Sequence, residues 1–424
     1  MELTTARQAL DRTAVLLASD VHHGRATKEE VVEGLVTTRA VVHATEFELR
    51  STAAQHTVVT LVLHLAMCGI GFELDLPDVV LNVPQPPLTG ATLRGALISH
   101  VAGTFPWVSL DPVDHPDVRF VIGATPPRHA ADVVVAGTTT HIQVGQTSRV
   151  QARSWAGDWP VAPVAAGIAG AAHAVRVASV RTADLLGTDP PAFAGDFTDL
   201  DIDTSPITTP SLGHVPVISA GAMTHAGLHV LLRVPNLEAN FQPFDDDIYD
   251  ITNTNRYSLF TASDIEMPKA TSLDRWGTDT MCINGVNRRY EGGEAAGNSR
   301  LLVGADDIGV RWTAQDDVTD WLGIGATSHL FAEVSVHIPG SPCAGCVHDH
   351  EDAAPAVIPT ISIVSGWAGL HLANELLKSI DAPPRSNMIW AYPLGLGGRH
   401  GHTALSPLPN PRCARSCPIS KRAG

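Results

Sequence analysis

The spacing of apolar and polar residues predicts helices at the start of the chain, followed by a mixture of strands and helices. Residues 1–50 are rich in Ala, Leu, Glu and Arg and predict helix with a break at Gly24. An apolar run over 58–67 predicts another helix that ends near Gly69 and Gly71. Three further elements are predicted in this half: strands over 118–122 and 133–135, and a tightly packed, small-residue helix over 161–178.

A stretch rich in Pro, Thr and Asp interrupts this pattern over residues 187–213. Its prolines, its charges and its lack of a period indicate a linker or a surface crossing. The chain is therefore predicted to contain an N-terminal α/β domain, residues 1–205, and a second domain, residues 206–424.

The second half opens with the strand–turn–helix pattern of a nucleotide-binding α/β fold. Residues 215–218 predict the strand, 219–224 the turn, and a helix follows towards Leu232. Asp245 comes about two dozen residues after the turn, at the end of a predicted second parallel strand. A later strand signature ends at Asp306. Because the carboxyl ends of parallel strands line one crevice, Asp245 and Asp306 are expected to converge.

The turn is poor in glycine for a phosphate-binding loop. Gly221 is its one glycine, and Ser219, Ala222 and Thr224 occupy the neighbouring positions. Small residues still allow backbone N–H groups and a helix N-terminus to approach a phosphate. An ordinary tight turn between strand and helix explains the same residues.

An ordered set of polar residues then follows over about sixty positions, in the arrangement that ATP chemistry needs. An acid at a strand end can hold a ribose, an Asn/Arg/Lys trio can hold phosphates, and a later acid can hold Mg²⁺. Taken singly, the same residues fit a solvated acidic loop, a turn or surface charges. The set consists of Asp245, Asp246, Asp247, Asn253, Arg256, Lys269 and Asp306.

The composition and net charge of the chain limit the classes of partner that it can bind. The chain has 424 residues, of which 44% are hydrophobic, so it can form a large core. Its net charge of −16 argues against nucleic acid and against an anionic membrane surface as partners. The start lacks a secretory signal and the apolar runs are shorter than a membrane span, so a cytoplasmic protein is expected.

Three segments that contain this set carry a family resemblance. The run from Phe244 to Tyr257, FDDDIYDITNTNRY, is similar to the adenylating domain of ubiquitin-activating enzymes and their bacterial ThiF/MoeB-type relatives. The run DIEMPKA matches that family's D-x-G-x-P-K-A, with Glu266 in the place of the glycine. The run DDIGVR matches its D-N-x-x-x-R, with Asp307 in the place of Asn. The resemblance covers roughly residue 215 to the C-terminus and implies a Rossmann-like adenylation fold.

The resemblance also implies a role for each matching residue. Asp245 would hold the ATP ribose, while Asn253, Arg256 and Lys269 would hold the phosphates. Asp306 would bind Mg²⁺ and orient the α-phosphate. Attack of a carboxylate on ATP brings two anions together, so preorganised cations are needed in the transition state.

Two close cysteine pairs predict a structural zinc site that fastens the C-terminal tail. Four thiolates suit tetrahedral Zn²⁺. Four unrelated thiols, or a ligand from His348 and His350 beside the first pair, are the alternatives. The proposed ligands are Cys343, Cys346, Cys413 and Cys417.

No nucleophilic cysteine for acyl transfer is evident beyond these four. Cys68 and Cys282 have no basic neighbours that would lower a thiol pKa, so an obligatory enzyme thioester is not expected. In the family a second copy of the fold contributes an Arg to the phosphates. The N-terminal half is a candidate for an inactive copy or a substrate-docking domain, and its candidate donors are Arg7, Arg12 and Arg94.

The sequence therefore predicts an ATP-dependent adenylyltransferase with Mg²⁺ and structural Zn²⁺. Its substrate would be a carboxylate from a peptide, a carrier protein or a small acid, activated for amide, thio or cyclisation chemistry in specialised metabolism. The active unit would be a homodimer or an internal pseudo-dimer. The rival is an inactive zinc-stapled scaffold. A Rossmann oxidoreductase is disfavoured, because hydride transfer gives Arg256 and Lys269 no role.

Overall fold

Two mixed sheets, one in each half of the chain, form the protein in a computed structural model. The structure describes residues 2–193, 197–208, 210–339, 341–348, 359–381, 385–395 and 400–405. One apolar core extends through both halves. Cys413 and Cys417 lie outside the described residues.

The first sheet has six strands in the order β2-β1-β3-β4-β5-β6. The four strands from β2 to β4 are parallel, and β5 and β6 are added antiparallel. The strands are β1 (Arg39–His43), β2 (Gly71–Asp75), β3 (Val118–Ile122), β4 (Val133–Gly137), β5 (His141–Gln146) and β6 (Thr198–Asp201).

Seven helices belong to this half. In α5 and α7 nearly every side chain is buried, because both helices lie between the first sheet and the second half of the chain. The helices are α1 (Glu2–Ala9), α2 (Asp11–Asp20), α3 (Lys28–Thr37), α4 (Glu46–Leu49), α5 (Thr52–Met67), α6 (Leu93–Thr104) and α7 (Val161–Leu186).

The second sheet has eight strands in the order β14-β13-β12-β11-β10-β7-β8-β9. The strands from β11 to β9 are parallel, and β12, β13 and β14 are antiparallel. The strands are β7 (Ser211–Ile218), β8 (Glu238–Phe244), β9 (Met281–Ile283), β10 (Arg300–Val303), β11 (Trp321–Ser328), β12 (Phe331–His337), β13 (Asn387–Ala391) and β14 (His400–Ala404).

The helices of this half cover its sheet and meet the first half. α8 and α12 pack closely on each other, and α12 also packs on α7. The α-helices are α8 (Ala222–Leu231), α9 (Lys269–Ser272), α10 (Ile308–Asp317), α11 (Ala344–Val347) and α12 (Ser362–Asp381). Four 3-10 turns occur among the described residues: Ile251–Asn253, Ala262–Asp264, Asp274–Trp276 and Pro393–Gly395.

Both sheets are wound in the same order. The strands β2-β1-β3-β4-β5-β6 correspond in order and direction to β8-β7-β10-β11-β12-β13. In each half a helix, α5 or α8, joins the first two strands, and a long helix, α7 or α12, follows the antiparallel hairpin. The second half adds β9, α10 and β14. The two halves are therefore topological copies, which is the arrangement that an internal pseudo-dimer requires.

Glycines at matching positions allow these helices to pack closely. Gly167 of α7 and Gly366 of α12 each stand seven positions after a proline and begin a Gly-x-Ala-Gly run. A Cβ at Gly167 would lie 2.9 Å from the backbone of Leu61 in α5. A Cβ at Gly369 would lie 2.5 Å from the backbone of Met223 in α8. Each long helix thus approaches its neighbour at backbone distance.

Three predictions about elements need correction. Residues 39–43, predicted as helix, form β1, because Ala40, Val41 and Val42 are buried between β2 and β3. The predicted linker 187–213 contains β6 and the start of β7. The predicted helix at 161–178 extends to Leu186. The prediction that no apolar segment is long enough for a membrane span is therefore wrong for this helix.

By length and composition alone, α7 is long and apolar enough to cross a membrane. Most of its apolar window, 89%, is buried inside the protein.

Candidate functional site

The first βα turn of the second sheet holds the carboxylate of Asp245. In the parallel register, Ile218 at the end of β7 faces Phe244 at the end of β8, so Asp245 lies beside the turn. Its Oδ2 accepts hydrogen bonds from the Ala220 N–H at 2.7 Å and from Ser219 Oγ at 3.3 Å. Its Oδ1 accepts from the Asp247 N–H at 2.9 Å. Burial raises the pKa of Asp245, while nearby Lys269 and these two N–H groups act in the opposite direction.

Two residues stand in left-handed backbone conformations that favour glycine. Ser219, which opens the turn, has φ +76°. Glu266, which replaces the family's glycine in D-x-G-x-P-K-A, has φ +67°. This left-handed conformation costs Glu266 roughly 1–2 kcal/mol of strain, because it is not glycine.

A short ribbon places Lys269 opposite the acids. Ile248 pairs with Pro268, and the Lys269 N–H donates to the Asp247 carbonyl at 2.9 Å. The Lys269 side chain is buried, and its Nζ lies 2.7 Å from Asp247 Oδ2. Burial alone would lower the pKa of Lys269, but Tyr257, Asp247 and Asp245 together raise it. Lys269 is thus held as a cation within the acidic cluster.

The loop around Arg256 is tied down by its own side chains. Asn253 Oδ1 accepts from the Asp250 N–H at 2.9 Å, so this amide oxygen caps a 3-10 turn. Arg256 Nη1 donates to Asn255 Oδ1 at 2.6 Å and to the Thr252 carbonyl. Only 4% of Arg256 is exposed, and burial lowers its pKa to about 10. The guanidinium is therefore oriented before any ligand binds.

Tyr257 connects these cations and was missed by the sequence analysis. The Arg256 guanidinium carbon lies 5.2 Å and Lys269 Nζ 5.9 Å from the centroid of its ring. Its hydroxyl oxygen lies 3.9 Å from the point where a Gly221 Cβ would be. The ring also contacts His225 of α8, with centroids 4.6 Å apart. The one available signal was its place directly after Arg256, because its contacts with Lys269 and His225 join separate segments of the chain.

Asp306 follows β10, is exposed, and lies near enough to Arg256 to affect its pKa. It favours the charge of Arg256, as Tyr257 and Asp250 also do, and so opposes the lowering of the Arg256 pKa by burial. Asp307 serves the fold, because its Oδ1 caps α10 at the Gly309 and Val310 N–H groups. The structure thus brings Asp245, Lys269, Arg256 and Asp306 to the carboxyl ends of β7, β8 and β10.

The three candidate N-terminal arginines fall in different places. Arg12 of α2 lies close enough to Arg256 to lower its pKa further. Arg7 lines a cavity of about 420 Å³ together with Asp250 and Thr252. Arg94 is exposed on α6, and no contact described in the structure joins it to the crevice. Arg12 is therefore the best placed of the three.

The first cysteine pair has the geometry of a metal chelate. Cys343 Sγ and Cys346 Sγ lie 3.5 Å apart on either side of the first turn of α11. Tetrahedral Zn²⁺ with Zn–S bonds of about 2.3 Å needs sulfurs roughly 3.8 Å apart, so the pair fits with a small adjustment. His348 does not serve as an alternative ligand here, because its ring nitrogens contact Arg311 and Ser335. Burial lowers the pKa of His348 to about 3.

Oxygen ligands for a hard cation are also close together in the crevice. One carboxylate oxygen from each of Asp245, Asp246 and Asp247 lies within 4.8 Å of the others. Such groups suit Mg²⁺, although exposed acids are often adjacent without binding a metal ion.

Comparisons with known proteins identify no family. No family model matches the chain, and no curated protein matches it. Among solved structures, the chain is similar to E. coli MccB with ATP at 15% identity, over 47% of this chain and 66% of that one, with a TM-score of 0.39. The microcin C7 biosynthetic enzyme MccB in complex with N-formylated MccA gives the same four values. PaaA gives 13% identity, over 46% of this chain and 65% of that one, with a TM-score of 0.34. The matched part thus spans about two thirds of each of these proteins and under half of this chain.

Proposed function

We propose that the protein adenylates a carboxylate with ATP, as a ThiF-type adenylyltransferase. The observation that carries the proposal is that Arg256 and Lys269 both lie within 6 Å of the centre of the Tyr257 ring, beside Asp245 and the βα turn. Buried cations beside a strand-end crevice are suited to bind an anion, and Arg256 donates only to neutral oxygens while Lys269 pairs with the exposed Asp247. A triphosphate satisfies both.

ATP would bind across the carboxyl ends of β7 and β8. Asp245 would accept from the ribose hydroxyls, and the turn from Ser219 to Thr224, with Gly221 and Ala222, would bring N–H groups to the phosphates. Lys269 would exchange its contact with Asp247 for a phosphate oxygen. Asn253 already caps a turn, so its amide N–H₂ rather than its oxygen is the group available to ATP.

Adenylation forms one bond and breaks another at the α-phosphorus. A carboxylate oxygen of the substrate attacks, the bond to the β-phosphate bridging oxygen breaks, and pyrophosphate leaves with the electron pair. Negative charge grows on the leaving group and on the oxygens of the α-phosphate, where Arg256 and Lys269 would neutralise it. Both side chains are already held by packing and hydrogen bonds, so little reorganisation is needed.

Asp306 is the proposed Mg²⁺ ligand. Its exposed carboxylate beside Arg256 suits Mg²⁺, which prefers oxygen ligands. When bound, Mg²⁺ would supply charge neutralisation at the phosphates. For Zn²⁺, Cys343 and Cys346 fit as half of a tetrahedral thiolate set, with Cys413 and Cys417 as the proposed second half.

We further infer how the halves and the partners are arranged. The N-terminal half would act as an inactive copy of the fold, and Arg12 would be its contribution to the phosphates. The substrate would be a peptide, a carrier-protein C-terminus or a small acid. The remaining proposals are a cytoplasmic location, no nucleic acid or membrane partner, and a single chain that serves as its own pseudo-dimer or pairs with a second copy.

ATP–pyrophosphate exchange against a panel of carboxylates and peptides tests the proposal. Exchange should appear with at least one acid and should be lost in Asp306→Ala and Lys269→Met. The control is Arg94→Ala, at an exposed arginine for which the structure describes no contact with the crevice. This variant should exchange like the wild type. If no acid supports exchange and ATP does not bind, the inactive scaffold is the better description. Elemental analysis should find about one zinc per chain, as a closed Cys₄ site requires.

A further inference from the structure

A chain of hydrogen bonds links the crevice to the turn that carries Cys343. It begins where Arg311, in the first turn of α10, reaches back to the carbonyl that precedes Asp306. It ends two strands away, at the carbonyl of Pro342. The contacts are Arg311 Nε to Ala305 O, 2.9 Å, Arg311 Nη1 to His348 Nδ1, 3.3 Å, His348 Nε2 to Ser335 Oγ, 2.9 Å, Ser335 Oγ to His337 Nε2, 2.9 Å, and His337 Nδ1 to Pro342 O, 2.9 Å.

The positions of the hydrogens in this chain follow from its two ends. A guanidinium can only donate, so His348 Nδ1 accepts and a neutral His348 ring carries its hydrogen on Nε2. A carbonyl can only accept, so His337 Nδ1 carries the hydrogen and Nε2 accepts. Ser335 then accepts from His348 and donates to His337. One assignment satisfies every group, so the chain fixes both imidazole tautomers and the plane of the Arg311 guanidinium.

Arg311 is a buried cation without a direct counter-ion. Only 7% of it is exposed, and no carboxylate described in the structure forms an ion pair with it. Asp306, Asp307 and Glu333 lie near enough to favour its charge, yet its hydrogen bonds go to a carbonyl and an imidazole. A buried cation that is held in place but not ion-paired, at the edge of a crevice, is suited to receive an anion.

We propose that Arg311 binds the carboxylate of the acyl substrate beside Asp306, and that His348 is the residue that positions Arg311 for this. The proposal rests on the proposed adenylation and adds the group that recognises the acid. Attack on ATP needs the substrate carboxylate next to the phosphates, where it is repelled unless a cation holds it. Arg311 lies next to Asp306 and is distinct from Arg256 and Lys269, so acid and ATP are held by different cations.

Exchange kinetics of four variants test the assignment, with the most active acid of the panel as the probe. His348→Leu removes the acceptor for Arg311, while His348→Asn places an amide oxygen near the position of Nδ1. His371→Leu removes another buried histidine of the same half and is the matched control. His348→Leu should raise the KM for the acid about tenfold and leave the KM for ATP unchanged, since one oriented hydrogen bond is lost. His348→Asn should restore most of the affinity, and Arg311→Gln should lose it.

Several results would overturn the assignment. Equal changes in the KM for ATP and for the acid, a similar effect of His371→Leu, or failure of His348→Asn to rescue would each show that the chain only stabilises the fold. Long-range ¹H–¹⁵N spectra of labelled histidines give a readout independent of activity. They should show His348 with its hydrogen on Nε2 and His337 with its hydrogen on Nδ1, and the opposite tautomers would contradict the chain.

The proposed function and this assignment fail in different ways. Absence of exchange in the wild-type protein with every acid would reject adenylation, and the role of Arg311 with it, while the tautomers would still report whether His348 positions the guanidinium. Exchange in the wild type together with wild-type kinetics in Arg311→Gln would reject the assignment alone.

Discussion

The two halves share one winding but differ in what lies at the carboxyl ends of their strands. The strand β10 ends at Val303 and is followed by Gly304, Ala305 and Asp306. The corresponding strand β3 ends at Ile122 and is followed by Gly123, Ala124 and Thr125. The second half thus has an acid where the first has threonine. Thr125 uses its hydroxyl to accept from the Thr45 N–H at 3.1 Å, which serves packing and not ligand binding.

The first half also fills its own crevice. Glu48 is buried, and its carboxylate accepts from the N–H groups of Trp155, at 2.7 Å, and Ala124, at 3.3 Å. Asp75 ends β2 and pairs with His43 and Arg128, each at 2.9 Å. Internal partners thus hold Glu48 and Asp75 in the first half, whereas Asp306, at the position that corresponds to Thr125, has an exposed side chain.

The largest expected effect is on the rate of ATP–pyrophosphate exchange. It should occur when Asp306 is replaced and not when its counterpart Thr125 is replaced. Asp306→Ala should lower the rate of ATP–pyrophosphate exchange about 10²–10³-fold, because a proposed phosphate and Mg²⁺ group is removed. Thr125→Ala should leave the rate unchanged. Exchange rates measured at saturating ATP test both, and an equal loss in the two variants would mean that the first half takes part in the chemistry.

The next effect tests the close packing of the long helices. Gly369→Ala would place a methyl group about 2.5 Å from Met223 O and from Ala226 Cβ, so it should destabilise the protein by about 2–3 kcal/mol. Gly103→Ala on α6, where nothing lies within 4 Å of the added atom, should be neutral or stabilising by up to about 1 kcal/mol. Urea unfolding measures both. Similar changes would show that α8 and α12 can move apart without cost.

Emptying the first crevice should cost stability and not activity. Glu48→Ala leaves the N–H groups of Trp155 and Ala124 without their acceptor, at a cost of roughly 1–3 kcal/mol. The exchange rate should stay at the wild-type value. A fall in exchange without a fall in thermal stability would contradict the view that Glu48 only fills space in an inactive copy.

The smallest effect per residue concerns buried histidines shared by the halves. Burial lowers the pKa of His56 and His64 in α5, and of His225 in α8, to about 3. These groups have a lower pKa folded than unfolded, so the unfolded chain binds more protons between about pH 3 and 6.5. Stability should therefore be full above pH 6.5 and fall as the pH decreases, by about 1.4 kcal/mol per pH unit for each histidine.

Urea unfolding at pH 7.0, 6.0 and 5.0 measures this slope. His64→Gln should reduce the slope by about one proton near pH 5, because burial is the one cause of the low His64 pKa. His329→Gln, at an exposed histidine that contacts Asp20 at 2.9 Å, measures how far replacement of a surface histidine alone changes the slope. A slope that His64→Gln does not alter would show that the α5 histidines are not buried as neutral groups.

Strongly patterned elements could be predicted from the sequence, and non-local ones could not. The helices on 52–67 and 222–231 and the strands on 118–122 and 133–137 have clear apolar runs. β1 was missed because five residues directly after a helix carry too little pattern, and its strand state depends on pairing with β2 and β3. The prediction that the N-terminal half is an inactive copy did not use the spacing of Pro160 and Gly167, which recurs in Pro359 and Gly366.

The ordered polar residues predicted where a site would lie but not how it is held. Asp245 follows β8 and Asp306 follows β10, which are the strand-end positions that the prediction gave them. Lys269 lies beside Asp247 through a short ribbon that no strand-end pattern indicated. Tyr257 and Arg311 stand in the runs that resemble the family, but their contacts with Lys269 and His348 could not be predicted, because these partners lie in other segments of the chain. Asn253 illustrates the opposite limit, since amide side chains that bind phosphate and those that cap turns look alike in sequence.

The contact between Asn255 Nδ2 and Thr13 Oγ1, at 2.9 Å, joins residues 242 positions apart. Asn255 also orients Arg256, so the loop that would bind phosphate is completed only when the first helices of the chain dock on it. During synthesis these helices leave the ribosome long before the loop does, so they can dock on the loop only after it has been made. A chain that had folded its sheets but not docked α2 would therefore have the fold without the completed crevice.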